Sequence, residues 1–248
     1  MPSSDPSATR PLLELRDVHT HIGHYHILHG VNLTVPEGRL TMLLGRNGAG
    51  KTTTLRTIMG LWRASAGTIA FDNAPIQARA TPDIARLGIA YVPEAMGIFA
   101  GLTVRENMLL ATGPGGFHDR RLERVFLLFP VLKAKWHQHA GSLSGGQKQM
   151  LAISRAIVEE RRLLIVDEPT KGLAPAVIGH LIEAFQELKR QRTTILLVEQ
   201  NFHMARSLGD DVAVMDDGRV VHAGRMEELA ADEALQAQLL GLTLGAHQ

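Results

Sequence analysis

The sequence predicts an α/β fold, a mostly parallel sheet wrapped by helices and interrupted by an inserted all-helical stretch. Three observations carry that expectation. Residues 40–44, 163–166 and 194–198 are short, almost unbroken apolar runs, the pattern of strands buried on both faces. Segments with helical spacing alternate with such runs, and βα alternation builds parallel sheets. From Pro93 to about Arg162 the strand signal stops, and residues 104–111, 122–129 and 147–158 read as helices.

Taken in order, residues 12–18 and 27–35 alternate apolar and polar side chains as strands do, and Pro36-Glu37-Gly38 closes the second as a turn. Residues 40–44 end at Gly45, and a glycine-rich loop leads into a helix over 51–61 with Leu55, Ile58 and Met59 on one side. Strands at 67–71 and 89–92 flank a short helix at 83–87. After the helical stretch, strands return at 163–166, 194–198, 212–215 and 219–222, alternating with helices at 177–190 and 202–208. No internal repeat and no sustained heptad is present.

Composition narrows the function classes. The chain has 248 residues, 45% hydrophobic and 21% charged, which suits one large globular domain rather than a disordered chain. A formal net charge of +1 supplies no strong basic field for nucleic acid, so none is expected as a partner. The absence of cysteine excludes disulfides, thiolate nucleophiles and cysteine-zinc sites. No apolar run is long enough to span a bilayer, and the Ser/Pro-rich start lacks the pattern of a signal peptide. Residues 1–11 are expected to be a disordered tail and 12–244 a single domain, its helical part at about 95–160.

Gly45-Arg46-Asn47-Gly48-Ala49-Gly50-Lys51-Thr52-Thr53 is a complete phosphate loop between a predicted strand and a predicted helix. Successive backbone N–H groups wrap an anionic phosphate there, and the helix adds its positive end. Lys51 is positioned for the β- and γ-phosphates of ATP, and the Thr52 hydroxyl for Mg²⁺. Residues 163–166 form a strand ending in Asp167 and Glu168. The strand holds Asp167 rigidly for the Mg²⁺ shell and presents Glu168 as the general base that polarises water. Leu143-Ser144-Gly145-Gly146-Gln147 opens a helix and admits two readings, a second anion site or a plain N-cap formed by Ser144.

Phosphate loop, LSGGQ run and Asp-Glu strand, in this order and spacing, resemble the ATP-binding-cassette (ABC) ATPases over essentially residues 12–240. The resemblance implies a RecA-like P-loop NTPase core with an antiparallel β region and an inserted α-helical subdomain. It also implies a second ATPase subunit, in a homo- or heterodimer. ATP would then lie between the phosphate loop of one chain and Ser144, Gly145, Gly146 and Gln147 of the other. Tyr91-Val92-Pro93-Glu94 stands where most cassettes carry a glutamine that senses Mg²⁺, which gives Glu94 a place near the metal. Leu197-Val198-Glu199-Gln200-Asn201 puts Gln200 where the switch histidine normally lies. With Gly172-Leu173-Ala174-Pro175, these positions look like the shorter ATPase subunit of branched-chain and hydrophobic amino-acid importers. Implied partners are transmembrane permease subunits and, indirectly, a periplasmic substrate-binding protein. The implied location is peripheral, at the cytoplasmic face of the bacterial inner membrane. Alternatives are a urea or amide importer, a lipopolysaccharide exporter, or a soluble ABC ATPase without a transport role. The position that usually stacks on adenine aligns with Ile22, with Tyr25 nearby.

Two clusters stay outside this scheme. His19, His21, His24, His26 and His29 are either solvated or hold a metal through alternate pairs, with no nearby carboxylate or cysteine expected to complete a shell. Arg120, Arg121 and Arg124 read as a solvated helix face or as a contact to an acidic membrane partner.

Overall fold

The computed structural model describes residues 10–241. Strands β1 (Pro11–Ile22) and β2 (Tyr25–Pro36) form a long hairpin, and β3 (Leu40–Gly45) delivers the phosphate loop to helix α1 (Lys51–Ile58). Strands β4 (Ala64–Phe71) and β5 (Ala74–Pro75) follow, then α2 (Thr81–Arg86) and β6 (Ile89–Val92). Helices α3 (Val104–Leu109), α4 (Asp119–Leu128), α5 (Pro130–Ala134) and α6 (Gly145–Ile157) occupy the next stretch, with no named strand among them. The chain then runs through β7 (Leu163–Asp167), α7 (Pro175–Arg190), β8 (Thr194–Val198) and α8 (Phe202–Leu208). It closes with β9 (Asp211–Asp216), β10 (Arg219–Arg225), α9 (Met226–Ala231) and α10 (Glu233–Leu240). Pro11, expected in the tail, instead pairs with Pro36 in β1. Residues 1–9 and the expected domain end at 244 lie outside the described residues.

Six strands make the central sheet in the order β10-β9-β3-β8-β7-β6. All neighbours are parallel except β10, which runs antiparallel to β9. Every residue of β3, β7 and β8 is buried, as their unbroken apolar runs require. Alternation then splits their side chains between two cores. Met42, Leu44, Leu164, Val166, Ile195 and Leu197 pack with the helical stretch and with α7 and α8. Leu43, Leu163, Ile165, Leu196 and Val198 pack instead with Leu55 and Ile58 of α1 and with the second sheet. That sheet has the order β2-β1-β4-β5 and is wholly antiparallel, as the resemblance implies.

Boundaries differ from expectation where backbone chemistry intervenes. Helix α1 stops at Ile58 rather than 61 because Gly60 adopts φ 68 and Leu61 N–H turns back to the Arg56 carbonyl. Helix α2 begins two residues early, with Pro82 in its first turn, where a missing N–H costs nothing. The sequence reading missed α5, α9 and α10, all eight residues or shorter and too brief for helical periodicity to show.

Candidate nucleotide site

Because β3, β8 and β7 are adjacent and parallel, the loops at their carboxyl ends emerge side by side. Leu43 pairs with Val198, and Val198 with Asp167. The loop after β3 carries residues 45–50, the loop after β8 carries Gln200, and β7 ends in Asp167. Such a row of strand ends is where open α/β sheets place ligands.

The phosphate loop is a cradle that side chains would fill. Gly45 has φ 145, and a Cβ there would lie 2.3 Å from the Met215 carbonyl oxygen. Gly50 caps α1 in the left-handed conformation at φ 99. Lys51, only 4% exposed, donates from Nζ to the carbonyls of Gly45 (2.8 Å) and Arg46 (3.1 Å). The same ammonium lies 3.4 Å from Oε1 of Glu168. Ala49 and Thr53 are held by the loop and the first turn of α1, where Thr53 accepts from the Thr57 hydroxyl.

Thr52 Oγ1 donates to Asp167 Oδ1 at 3.2 Å, and the Tyr91 phenol donates to Oδ2 at 3.4 Å. Burial raises the pKa of Asp167 above the usual carboxylate value; the charges of Glu168 and Glu94 add to the rise, while the Thr52 and Tyr91 hydrogen bonds oppose it. Burial, then the Asp167 charge, pushes Tyr91 up to about 12, so it remains a neutral donor. A hydroxyl and a carboxylate oxygen side by side are the hard ligands Mg²⁺ prefers, so these residues fit that ion.

Glu168 adopts φ 46, a strained conformation for a non-glycine residue, directly before Pro169. The strain aims its carboxylate away from the ladder toward the phosphate loop. Gln200 Nε2 lies 2.7 Å from Glu168 Oε1 and 2.8 Å from Asn47 Oδ1, tying the three loops together. Glu94 faces elsewhere: its Oε1 accepts from Lys171 Nζ at 2.5 Å, and Lys171 also lies 3.7 Å from Glu168. Glu94 therefore reaches the cluster through Lys171 rather than through Thr52.

Two sets of predicted residues stand apart. Ile22 ends β1 at the hairpin tip opposite Tyr25, which is 76% exposed. Ser144 and Gln147 form a capping box at the start of α6: Ser144 Oγ accepts from the Gln147 N–H at 3.3 Å, and Gln147 Oε1 from the Ser144 N–H at 3.1 Å. Gly145 and Gly146 follow in the first turn, and a Cβ on Gly146 would meet Val177 at 2.5 Å. The N-cap reading thus describes this chain by itself.

The sequence reading passed over Glu199. Only 2% exposed, it accepts from the Thr170 N–H (3.0 Å) and hydroxyl (2.7 Å), and from the N–H groups of Gln200 (3.1 Å) and Asn201 (3.2 Å). One carboxylate thereby ties the loop after β7 to the loop after β8. Its signal in the sequence was a charged residue at the end of a fully apolar strand, which demands partners on burial.

Comparison with known proteins agrees with this geometry. Residues 28–171 match the ABC transporter family. A high-affinity branched-chain amino acid transport ATP-binding protein of Pseudomonas aeruginosa is 39% identical over 85% of this chain and 91% of its own. A probable branched-chain amino acid transport ATP-binding protein of Archaeoglobus fulgidus is 34% identical over 92% of this chain and 99% of its own. The ADP conformation of an ATP-binding cassette of an ABC transporter superposes with a TM-score of 0.79 at 25% identity, covering 94% of this chain and all of that one. A cassette fold, a phosphate loop facing a carboxylate pair and relatives of this extent lead to one conclusion: the chain belongs to the ABC transporter family and is an ATPase of that family.

Proposed function

We propose that this chain is the ATP-hydrolysing subunit of an amino-acid importer, of the branched-chain type. The hydrolytic part rests on one observation, the Gln200 bridge that joins Glu168 to Asn47 beside Lys51. Before nucleotide binds, Lys51 is held by two loop carbonyls and by Glu168. A triphosphate offers that ammonium a stronger anionic partner, which releases Glu168 to accept a proton from water. Gln200 has no titratable group near neutral pH, so it orients water and phosphate without taking the proton. Thr52 and Asp167 would hold Mg²⁺, which neutralises developing phosphate charge when bound. We assign Glu94, joined to Glu168 through Lys171, to relaying the state of that site rather than to direct ligation.

Ser144, Gly145, Gly146 and Gln147 are proposed to act on the nucleotide of a partner cassette, since in this chain they contact only their own helix and its neighbours. No helix among the described residues is long and apolar enough to cross a membrane; the family assignment is what supports transmembrane permease subunits as partners. A groove of about 850 Å³ lined by Met59, Trp62, Tyr91, Met96 and Leu110 fits a short permease helix. Its rim exposes Leu61 (50%) and Leu110 (60%) beside the loop that carries Glu94. This reading places the chain at the cytoplasmic face of the inner membrane, working with a periplasmic binding protein. The substrate class comes from the two branched-chain relatives. Reconstituting the chain with its permease and binding protein tests the reading: leucine, isoleucine or valine should stimulate ATP hydrolysis. Stimulation by urea or an amide alone would reassign the substrate, and ATPase unaffected by the permease would remove the transport role.

A further inference from the structure

The histidines of the β1–β2 hairpin are not among the residues assigned to the nucleotide, yet their geometry is specific. In the β1–β2 register, Thr20 pairs with Leu28 facing inward, both fully buried, while the flanking pairs His19–His29 and His21–His26 face outward. A register shift between Thr20 and His21 brings both pairs onto one face. Four imidazoles thus gather there. His26 stacks on His21 with centroids 4.2 Å apart and on His19 at 5.2 Å, and His29 lies tilted against it at 4.1 Å.

Two ring nitrogens converge, His19 Nδ1 and His26 Nε2, at 3.1 Å. Two nitrogens bound to one tetrahedral Zn²⁺ at ~2.0–2.1 Å lie about 3.3 Å apart, so this pair already has the required bite. The surrounding residues orient it. His19 Nε2 faces Asp17 Oδ1 at 3.2 Å, the carboxylate–histidine arrangement that orients a metal-binding ring. No carboxylate was expected to complete a shell here; Asp17, two residues before His19, is brought to its ring because it adopts φ 51 at the irregularity between Leu15 and Val18. With the Nε2–H of His19 directed at Asp17, its Nδ1 presents a lone pair that accepts the Nε2–H of His26 and is free to take a cation when that proton moves. His21, hydrogen-bonded to Ser65 Oγ at 3.0 Å, stands beside the pair.

We propose that the outer face of the β1–β2 hairpin binds a transition-metal dication such as Zn²⁺, clamped between His19 Nδ1 and His26 Nε2. No three ligands already converge on a point among the described residues. Rotation of His21 off Ser65 supplies the third, and water completes the shell. Zn²⁺ suits neutral imidazoles, and binding at His26 Nε2 moves that ring's single proton to Nδ1. The ion would stiffen a hairpin that is bonded to the phosphate loop through Gly218: His29 N–H donates to the Gly218 carbonyl, and Gly218 N–H to the Ala49 carbonyl.

Equilibrium dialysis of the untagged full chain with Zn²⁺ tests the site, with hydrogen exchange as a second readout. One ion per chain should bind with micromolar affinity, and amides of residues 19–29 should exchange more slowly with Zn²⁺. His19→Ala and His26→Ala should each weaken binding by at least about tenfold, and Asp17→Asn by roughly tenfold as an orienting partner. His137→Ala should leave binding unchanged. All variants must retain wild-type melting temperature and ATPase turnover in chelator. Absence of uptake by the wild type, equal uptake by the His19→Ala/His26→Ala double variant, or unaltered hairpin exchange would each overturn the proposal.

Discussion

At the scale of single residues, the proposed mechanism divides the chemistry between Glu168 and Gln200. The carboxylate can take a proton and the amide cannot, so the two substitutions should part company. Glu168→Gln should cut single-turnover hydrolysis by roughly two orders of magnitude or more while ATP binding persists, in the range of losing a general base. Gln200→His should stay active, since imidazole also orients water and phosphate. Fast hydrolysis by Glu168→Gln together with a dead Gln200→Ala would reverse the assignment. Asp167 makes a different prediction, about stability. Its folded pKa is raised by burial and by the nearby carboxylates, so the folded state holds the proton more strongly than the unfolded chain. The stability this confers is present below the unfolded pKa and is lost as pH rises through the folded value. At neutral pH the ionised carboxylate therefore opposes folding, and Asp167→Asn should raise the melting temperature of the nucleotide-free protein. The gain should be about 2–4 °C for each kcal/mol relieved, and should vanish in acid. A lower melting temperature at pH 7 would show that the Thr52 and Tyr91 hydrogen bonds outweigh burial.

At the scale of elements, the site depends on loops that are short and mutually braced. Glu199 accepts four hydrogen bonds from two of them, and removing it leaves buried donors without acceptors, each costing about 1–3 kcal/mol. Glu199→Ala should lower the denaturation midpoint and reduce kcat more than it changes KM for ATP, because the loops it joins hold Glu168 and Gln200 rather than the phosphate loop. Glu199→Asp, which keeps the charge but shortens the reach, should fall between. A variant with normal kcat and lowered stability alone would confine Glu199 to a structural role. Strands and their order of succession were legible in the residues, because buried parallel strands need unbroken apolar runs. The brace was not, because Thr170 and Glu199 are 29 residues apart and meet only once β7 and β8 pair.

At the scale of the whole molecule, Ser144 separates self-contained folding from assembly. The structure uses its hydroxyl as a helix cap, so Ser144→Arg combines loss of a cap, worth about 1 kcal/mol, with any effect on a partner. Ser144→Asp distinguishes the two, since aspartate caps helices well but repels an anionic phosphate. Ser144→Asp should melt like the wild type and bind ATP as a monomer; in a Glu168→Gln background, gel filtration with ATP should show it failing to form the expected dimer. Normal dimerisation of this variant would leave Ser144 as a cap alone.

What the sequence determined by itself is the chemistry that short stretches of chain can express. Residues 45–53 specify a phosphate cradle because its glycines and first helical turn act within nine residues, and Asp167 follows a strand whose burial is written in its own apolar run. The antiparallel sheet and the wider family placement came from the order and spacing of three motifs rather than from any one of them. The tertiary structure alone decided which side chains meet. Gln200 bridges Asn47 and Glu168 across 153 and 32 residues, Glu94 is turned toward Lys171, and Asp17 reaches His19 at an irregular strand. The physical reason is common to these contacts: strand order and register place loop ends and strand faces beside one another, and periodicity along one segment contains neither quantity.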